Sequence, residues 1–255
     1  MSKLSVIIIT KNEQNNIREC LESVRWADEI IVVDSGSTDK TLKYARTFTR
    51  KIYKTEWEGF GATKNFALSK AKGDWVLSLD ADERVTPELA REIQLVLKQN
   101  TAAYAGYSMP RKAFFLGKWI KHCGWYPGRV VRFFRRKNGA FTEAQVHESI
   151  HLKGSIGELQ SDLLHFTDPN LEHYFQKFNR YTSLAAEDLV RKGERFSFDK
   201  MLIRPVWAFF RMYFFQRGFL DGVEGFILCV LSSCYVFTKY AKLRELGRIN
   251  KGQPL

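Results

Sequence analysis

The run DWVLSLDADE, residues 74–83, carries the densest chemistry in the chain. Trp75, Val76, Leu77 and Leu79 suit a buried strand, and Asp80, Asp82 and Glu83 emerge at its carboxyl end. Three acids this close repel one another and require positive charge nearby. A divalent cation is the simplest candidate, because hard cations take oxygen ligands, often one or two carboxylates completed by substrate phosphates. A helix start explains part of the same stretch, with Thr86 as N-cap and Pro87 at the first helical position. Capping alone does not account for so acidic a strand exit in a chain of net charge +12, with 40 basic residues against 28 acidic.

Two further polar clusters follow apolar runs. Leu4 to Thr10 is a solid β-branched run that exits into Thr10-Lys11-Asn12-Glu13. Glu29 to Asp34 is a second one, exiting into Asp34-Ser35-Gly36-Ser37-Thr38-Asp39. Helical spacing falls between them at Ile17, Leu21 and Val24, and again over 39–48, 62–72 and from Pro87. A short strand is expected over 51–54. This alternation predicts a mostly parallel sheet covered by helices, an α/β fold whose strands are apolar on both faces. Ligands in open α/β sheets bind beyond the carboxyl ends of the strands, so three polar clusters there predict one site.

The chain has 255 residues, 45% of them hydrophobic, enough for one large domain or a domain with an appendage. The basic excess points to an anionic partner: nucleic acid, anionic lipid or a phosphorylated substrate. Cys20, Cys123, Cys229 and Cys234 lack metal-ligand spacing and fit a reducing, cytosolic compartment. SKLSVIIIT reads as a first strand rather than a signal peptide. A transmembrane helix is not expected, the nearest run being residues 225–237.

Residues 111–137 hold nine basic residues and no acid, interleaved with Phe114, Phe115, Trp119, Trp125, Tyr126, Phe133 and Phe134. RVVRFFRR within them reads as a strand. From Asn170 the pattern is helical: one helix to Gly193, a second interrupted or started by Pro205, and a third from Asp221 to about Arg244.

Taken in order, TKNE (10–13), VVDSGSTD (32–39), ATKNFAL (62–68) and SLDADE (78–83) resemble the family 2 glycosyltransferases, whose nucleotide-sugar-binding fold is called GT-A. WADEIIVVDSGSTDKT, LDADE, VHES and the basic aromatic carboxyl region resemble most closely the lipopolysaccharide-core β-1,4-glucosyltransferases. The DxD element alone is a common pattern; four motifs in order are specific. The resemblance implies a GT-A catalytic domain over 1–169 and a helical, membrane-associating region over 170–255. It implies Asp34 at the uracil ring, Thr10, Asn12 and Glu13 near base and ribose, and Lys64 near the diphosphate. Asp80 would sit by ribose and metal, with Asp82 and His165 contacting an Mg²⁺ or Mn²⁺ ion. Glu148 stands where the family places its general base.

The reaction so implied is inverting transfer of a hexose, glucose in the subfamily resembled, from a UDP-sugar to a membrane glycolipid, the lipopolysaccharide inner core. Such chemistry needs a carboxylate to deprotonate the acceptor hydroxyl. It also needs a cationic clamp on the leaving diphosphate. Each residue has a plainer reading. Asp34 can cap its own turn, Lys64 can be a solvated helix residue, and His165 can be a core histidine. Glu143, His147 and Asp168 rival Glu148. Trp125-Tyr126-Pro127 is either core or an acceptor-stacking platform. The chain lacks the QxxRW motif of processive members, having only QKFNRY at 176–181, which implies a single sugar addition.

Basic and aromatic residues together also suit nucleic acid, but no nucleic-acid-binding motif is present. The carboxyl helices read as interfacial, aromatic on one side and basic on the other, which places the protein in the cytoplasm, peripheral on the inner membrane face against an anionic surface. Packing on the catalytic domain or a dimer interface are the alternatives for these helices. The rivals for function are transfer to another lipid-linked or protein acceptor, a non-catalytic sugar-nucleotide-binding scaffold, and a nucleotidyltransferase.

Overall fold

A computed structural model describes residues 2–99, 103–142 and 150–249. The chain divides into two compact units, Met1–Lys112 with Gly128–His165, and Ala113–Pro127 with Phe166–Leu255. Residues 113–127, read from sequence with the amino-terminal domain, thus cluster with the helical segment.

The first unit begins β1 (Leu4–Thr10), α1 (Ile17–Ser23), β2 (Glu29–Asp34), α2 (Thr41–Ala45), β3 (Ile52–Lys54), α3 (Phe60–Lys70), β4 (Trp75–Asp80), β5 (Glu83–Val85) and α4 (Pro87–Gln99). It continues through β6 (Gly106–Phe115) as far as Lys112, β8 (Gly128–Arg135), β9 (Gly139–Phe141), β10 (Ile150–Leu152), β11 (Ile156–Glu158) and the start of β12 (Leu163–Asp168), while the end of β6 and β7 (Lys118–Trp119) belong to the second unit. The strand order β3-β2-β1-β4-β8-β6 reverses direction of growth between β1 and β4. The first four strands are parallel; β8 and β6 join antiparallel. The crevice beyond the carboxyl ends of β1 and β4 is therefore a topological switch point.

Alternate residues of the two central strands serve opposite faces, which is why both runs are wholly apolar. Val6, Ile8, Ile30 and Val32 join a core with Ile17, Leu21, Leu89 and Ile93 from α1 and α4. Ile7, Ile9, Ile31 and Val33 join another with Ala67 of α3. Thr86 caps α4 as predicted, its Oγ1 accepting from the Leu89 amide at 3.2 Å.

The second unit holds α5 (Leu171–Arg191), α6 (Phe198–Phe210), a π-helical turn at Arg211–Phe215 and α7 (Gly222–Ile249). Asn170 caps α5 by accepting from the His173 amide at 2.8 Å. Helix α6 departs from the sequence expectation: it begins at Phe198, and Pro205 lies inside it. Gly218–Arg248 holds an 18-residue stretch of mean hydropathy 1.6, long and apolar enough to cross a membrane by length and composition, where the sequence reading stopped at residues 225–237. The reason is that Glu224 on one side and Thr238-Lys239 on the other bound the apolar run without ending the helix.

Candidate active site

Register places the three polar clusters side by side. Thr10 pairs with Asp34, and Ile9 with Asp80. The first two clusters are knitted together by hydrogen bonds. Asn12, at φ +56°, accepts at Oδ1 from the Thr38 amide at 2.8 Å and donates its own amide to Ser37 Oγ at 2.9 Å. Asparagine tolerates this left-handed conformation better than most residues. The Glu13 amide donates to Thr41 Oγ1 at 2.8 Å, and Glu13 Oε2 accepts from Asn16.

The Asp34 carboxylate is fully buried and accepts from the Gly36 amide at 3.1 Å and the Ser37 amide at 3.0 Å. It shapes its own turn, and an ionised carboxylate with about four lone-pair sites retains capacity beyond those bonds. Two hydroxyls nearby have no hydrogen-bond partner although buried, Thr10 Oγ1 and Ser35 Oγ. Orphaned polar atoms at two adjacent strand ends are uncommon and mark a place where a polar ligand fits.

Asp80 closes β4. Lys64, 1% exposed on α3, forms an ion pair with its Oδ1 at 2.9 Å, and Arg132 on β8 bonds its Oδ2. The same Arg132 Nη2 reaches Glu83 Oε1 at 2.8 Å. Glu83 is fully buried and also accepts from the Asp80 amide at 3.0 Å. Burial would push the Asp80 carboxyl up, but the Arg132 and Lys64 cations hold it well below the usual carboxylate range. The positive charge that the acidic run demands therefore comes in large part from the chain itself. Arg132 is the site-lining residue that sequence reasoning passed over, one of the nine basic residues of 111–137.

Asp82 lies in the turn between β4 and β5, and its Oδ2 stands 3.4 Å from His165 Nε2 on β12. The antiparallel pairing of His165 with Glu83 sets that distance. His165 Nδ1 is buried without a partner. Among the described residues no three His, Cys, Asp or Glu side chains converge as a metal cage. A carboxylate and an imidazole fit a divalent cation that keeps its other positions for phosphate oxygens and water.

Glu148, with its rivals Glu143 and His147, lies outside the described residues. The residues bracketing that segment are fixed: Phe141 pairs with Ile150 across β9 and β10. Asn65, next to Lys64, exchanges two 2.9 Å hydrogen bonds with the Phe141 backbone. The rival Asp168 is engaged in the second unit, where its Oδ1 contacts His173 Nδ1 at 3.1 Å.

Metal-compatible acids and buried cations at the switch point of a parallel sheet define a nucleotide-binding α/β enzyme architecture. Comparison with known proteins sharpens this. Residues 5–153 match glycosyl transferase family 2. The chain is 32% identical over 258 residues to an uncharacterized glycosyltransferase of Rickettsia typhi, covering 97% of this chain and 88% of that protein. It is 32% identical over 250 residues to the lipopolysaccharide core biosynthesis glycosyltransferase LpsC of Rhizobium meliloti, covering 95% and 92%. Glucosyl-3-phosphoglycerate synthase from Mycobacterium tuberculosis, in complex with phosphoglyceric acid, superposes with a TM-score of 0.50 at 18% identity, covering 76% of this chain and 81% of that one. The chain belongs to glycosyl transferase family 2, and its catalytic unit has the GT-A fold.

Proposed function

We propose that this enzyme transfers a hexose, glucose, from a UDP-sugar to a membrane glycolipid, the lipopolysaccharide inner core, with inversion at the anomeric carbon. The observation that carries the donor half is the Asp82–His165 pair standing beside an Asp80 already neutralised by Lys64 and Arg132. Thr10, Asn12, Glu13 and Asp34 bind the nucleoside, the unpartnered Thr10 and Ser35 hydroxyls supplying hydrogen bonds. Lys64 acts on the diphosphate through Asp80, holding that carboxylate ionised and in place. Asp82 and His165 hold Mg²⁺ or Mn²⁺, which when bound supplies charge stabilisation to the departing UDP. Glu148 removes the proton of the acceptor hydroxyl as it attacks the anomeric carbon. The likeness to LpsC supports the acceptor class, and the exposed aromatic face of α6 supports action at the inner face of the cell membrane.

Purified protein assayed with a panel of nucleotide sugars, each divalent cation and rough lipopolysaccharide tests this reading. Metal-dependent UDP release with one UDP-hexose, and its label appearing in the lipid, is the expected result. Release of pyrophosphate from a nucleoside triphosphate would identify a nucleotidyltransferase instead. Donor binding without release, with any lipid or protein acceptor, would identify a scaffold.

A further inference from the structure

The second unit exposes an apolar face that its own packing does not use. A groove of about 480 Å³ is lined by Leu202, Ile203, Val206, Trp207, Phe210 and Phe215. Leu202, Ile203, Val206, Trp207 and Phe210 recur three and four apart along α6, and Phe215 of the π-turn joins them by contact with the Trp207 ring. Ile203 is 65% exposed, Trp207 56% and Phe215 71%. Soluble surfaces rarely leave so many large side chains together in water.

Two cations meet where α6 and α7 pack together. Arg204 and Lys239 both sit over the Tyr240 ring, at 5.3 and 5.1 Å, and Arg204 also donates to the Tyr240 hydroxyl. Two cations share one ring, and burial and Arg204 together lower the Lys239 pKa. The acid in reach, Glu194, is bonded to Lys200. A second anion from outside would relieve the pair.

We propose that this face seats in one leaflet of an anionic bilayer, with α6 and α7 lying along the surface and Arg204 and Lys239 taking a lipid phosphate. Helix α7 is long and apolar enough to cross a membrane, yet its inner side is committed. Leu228 and Cys229 pack in one core, Tyr240 and Leu243 in another. Lys242 Nζ bonds Asn179, Thr182 and Ser183 of α5. A crossing α7 would draw Lys177 and Arg180, on the α5 turns that pack against Tyr235, into hydrocarbon, where charges are strongly disfavoured. Lying in the interface satisfies both the apolar stripe and the charges. The surface orientation deepens the membrane-acceptor reading above and rests on it only for its purpose.

The test is flotation with vesicles of phosphatidylcholine, alone or mixed with phosphatidylglycerol, run beside UDP release on a water-soluble saccharide acceptor. Wild type should float with the mixed vesicles and come off as salt rises. Ile203→Glu with Phe215→Glu, both at exposed positions, should weaken flotation about tenfold or more on either vesicle while leaving UDP release unchanged. Arg204→Glu with Lys239→Glu should remove the preference for phosphatidylglycerol, about tenfold, and Arg204→Lys with Lys239→Arg should restore it. Lipids brominated near the headgroup should quench a signal that Trp207→Phe removes, and alkaline carbonate should release the protein. Absent flotation, flotation indifferent to Ile203 and Phe215, or a stable dimer that covers this face would overturn the proposal. Retention after carbonate would overturn the surface orientation. Vesicle binding without UDP release would fault the transferase reading alone, and UDP release without vesicle binding would fault this one alone.

Discussion

Arg132 reaches Glu83 with a 2.8 Å ion pair in which the carboxylate is fully buried and the guanidinium side chain 11% exposed. The same nitrogen also bonds Asp80, so one side chain ties the end of β4 to the start of β5. Removing one member of a buried pair leaves the other unpaired. Arg132→Met should destabilise the protein by about 3–5 kcal/mol, read from urea unfolding. A loss within about 0.5 kcal/mol would mean that Glu83 finds another partner or is protonated.

Donor binding should separate Asp82 from the acids around it. Asp82→Ala and His165→Ala should each weaken Mn²⁺-dependent UDP binding by more than about tenfold, a change of about 1.4 kcal/mol by calorimetry. Metal-independent binding, carried by the Thr10 to Glu13 and Asp34 loops, should change little. If both variants bind UDP with wild-type metal dependence, the cation is held elsewhere.

Glu148→Gln should bind donor as the wild type does and lose turnover by a factor of about 10² to 10⁴, the usual contribution of a general base. Normal turnover in this variant would move the role to Glu143, His147 or Asp168. Where Glu148→Gln does lose turnover, loss in His147→Gln as well indicates that the two act as a pair, with His147 orienting Glu148.

Acid sensitivity should run through Glu29. Burial pushes this carboxyl up, but hydrogen bonds from Lys51, Ser5 and the Lys72 amide outweigh it and hold the group below its ordinary 4.5. The folded protein thus binds this proton less readily than the unfolded chain. Its contribution to stability is complete above about pH 4.5 and is lost as pH falls through the lowered folded value. Glu29→Gln should cost about 1–2 kcal/mol at pH 7 and flatten the acid limb of the unfolding midpoint. Parallel limbs in mutant and wild type would show that other carboxylates govern acid unfolding.

The sheet was legible from β1 and β2 because a parallel strand buried on both faces leaves no polar interruption, and Glu29–Asp34 coincides with the predicted run. Asp80 and Asp34 were legible because a strand exit is a defined place. The beginning of α6 was not, since Pro205 suits a first turn and FDKMLIR before it has no distinctive break. Met201, one turn earlier, is buried in a core that includes Tyr240, a contact distant in sequence. Arg132 was illegible for the same reason: its partners arrive from β4 and β5, some fifty positions away. The sequence signal that could have found it is a cation between Val131 and Phe133, in the apolar middle of a strand running beside β4.

The Lys64–Asp80–Arg132–Glu83 cluster sums to zero: two cations cancel two anions before any ligand arrives. Two of the three carboxylates of the acidic strand exit are thereby cancelled, and a polyanion can approach a place where three together would otherwise turn it away. Charge balance around Asp80 and Glu83 is built into the scaffold, so an arriving cation and nucleotide meet Asp82 and not a triple negative charge.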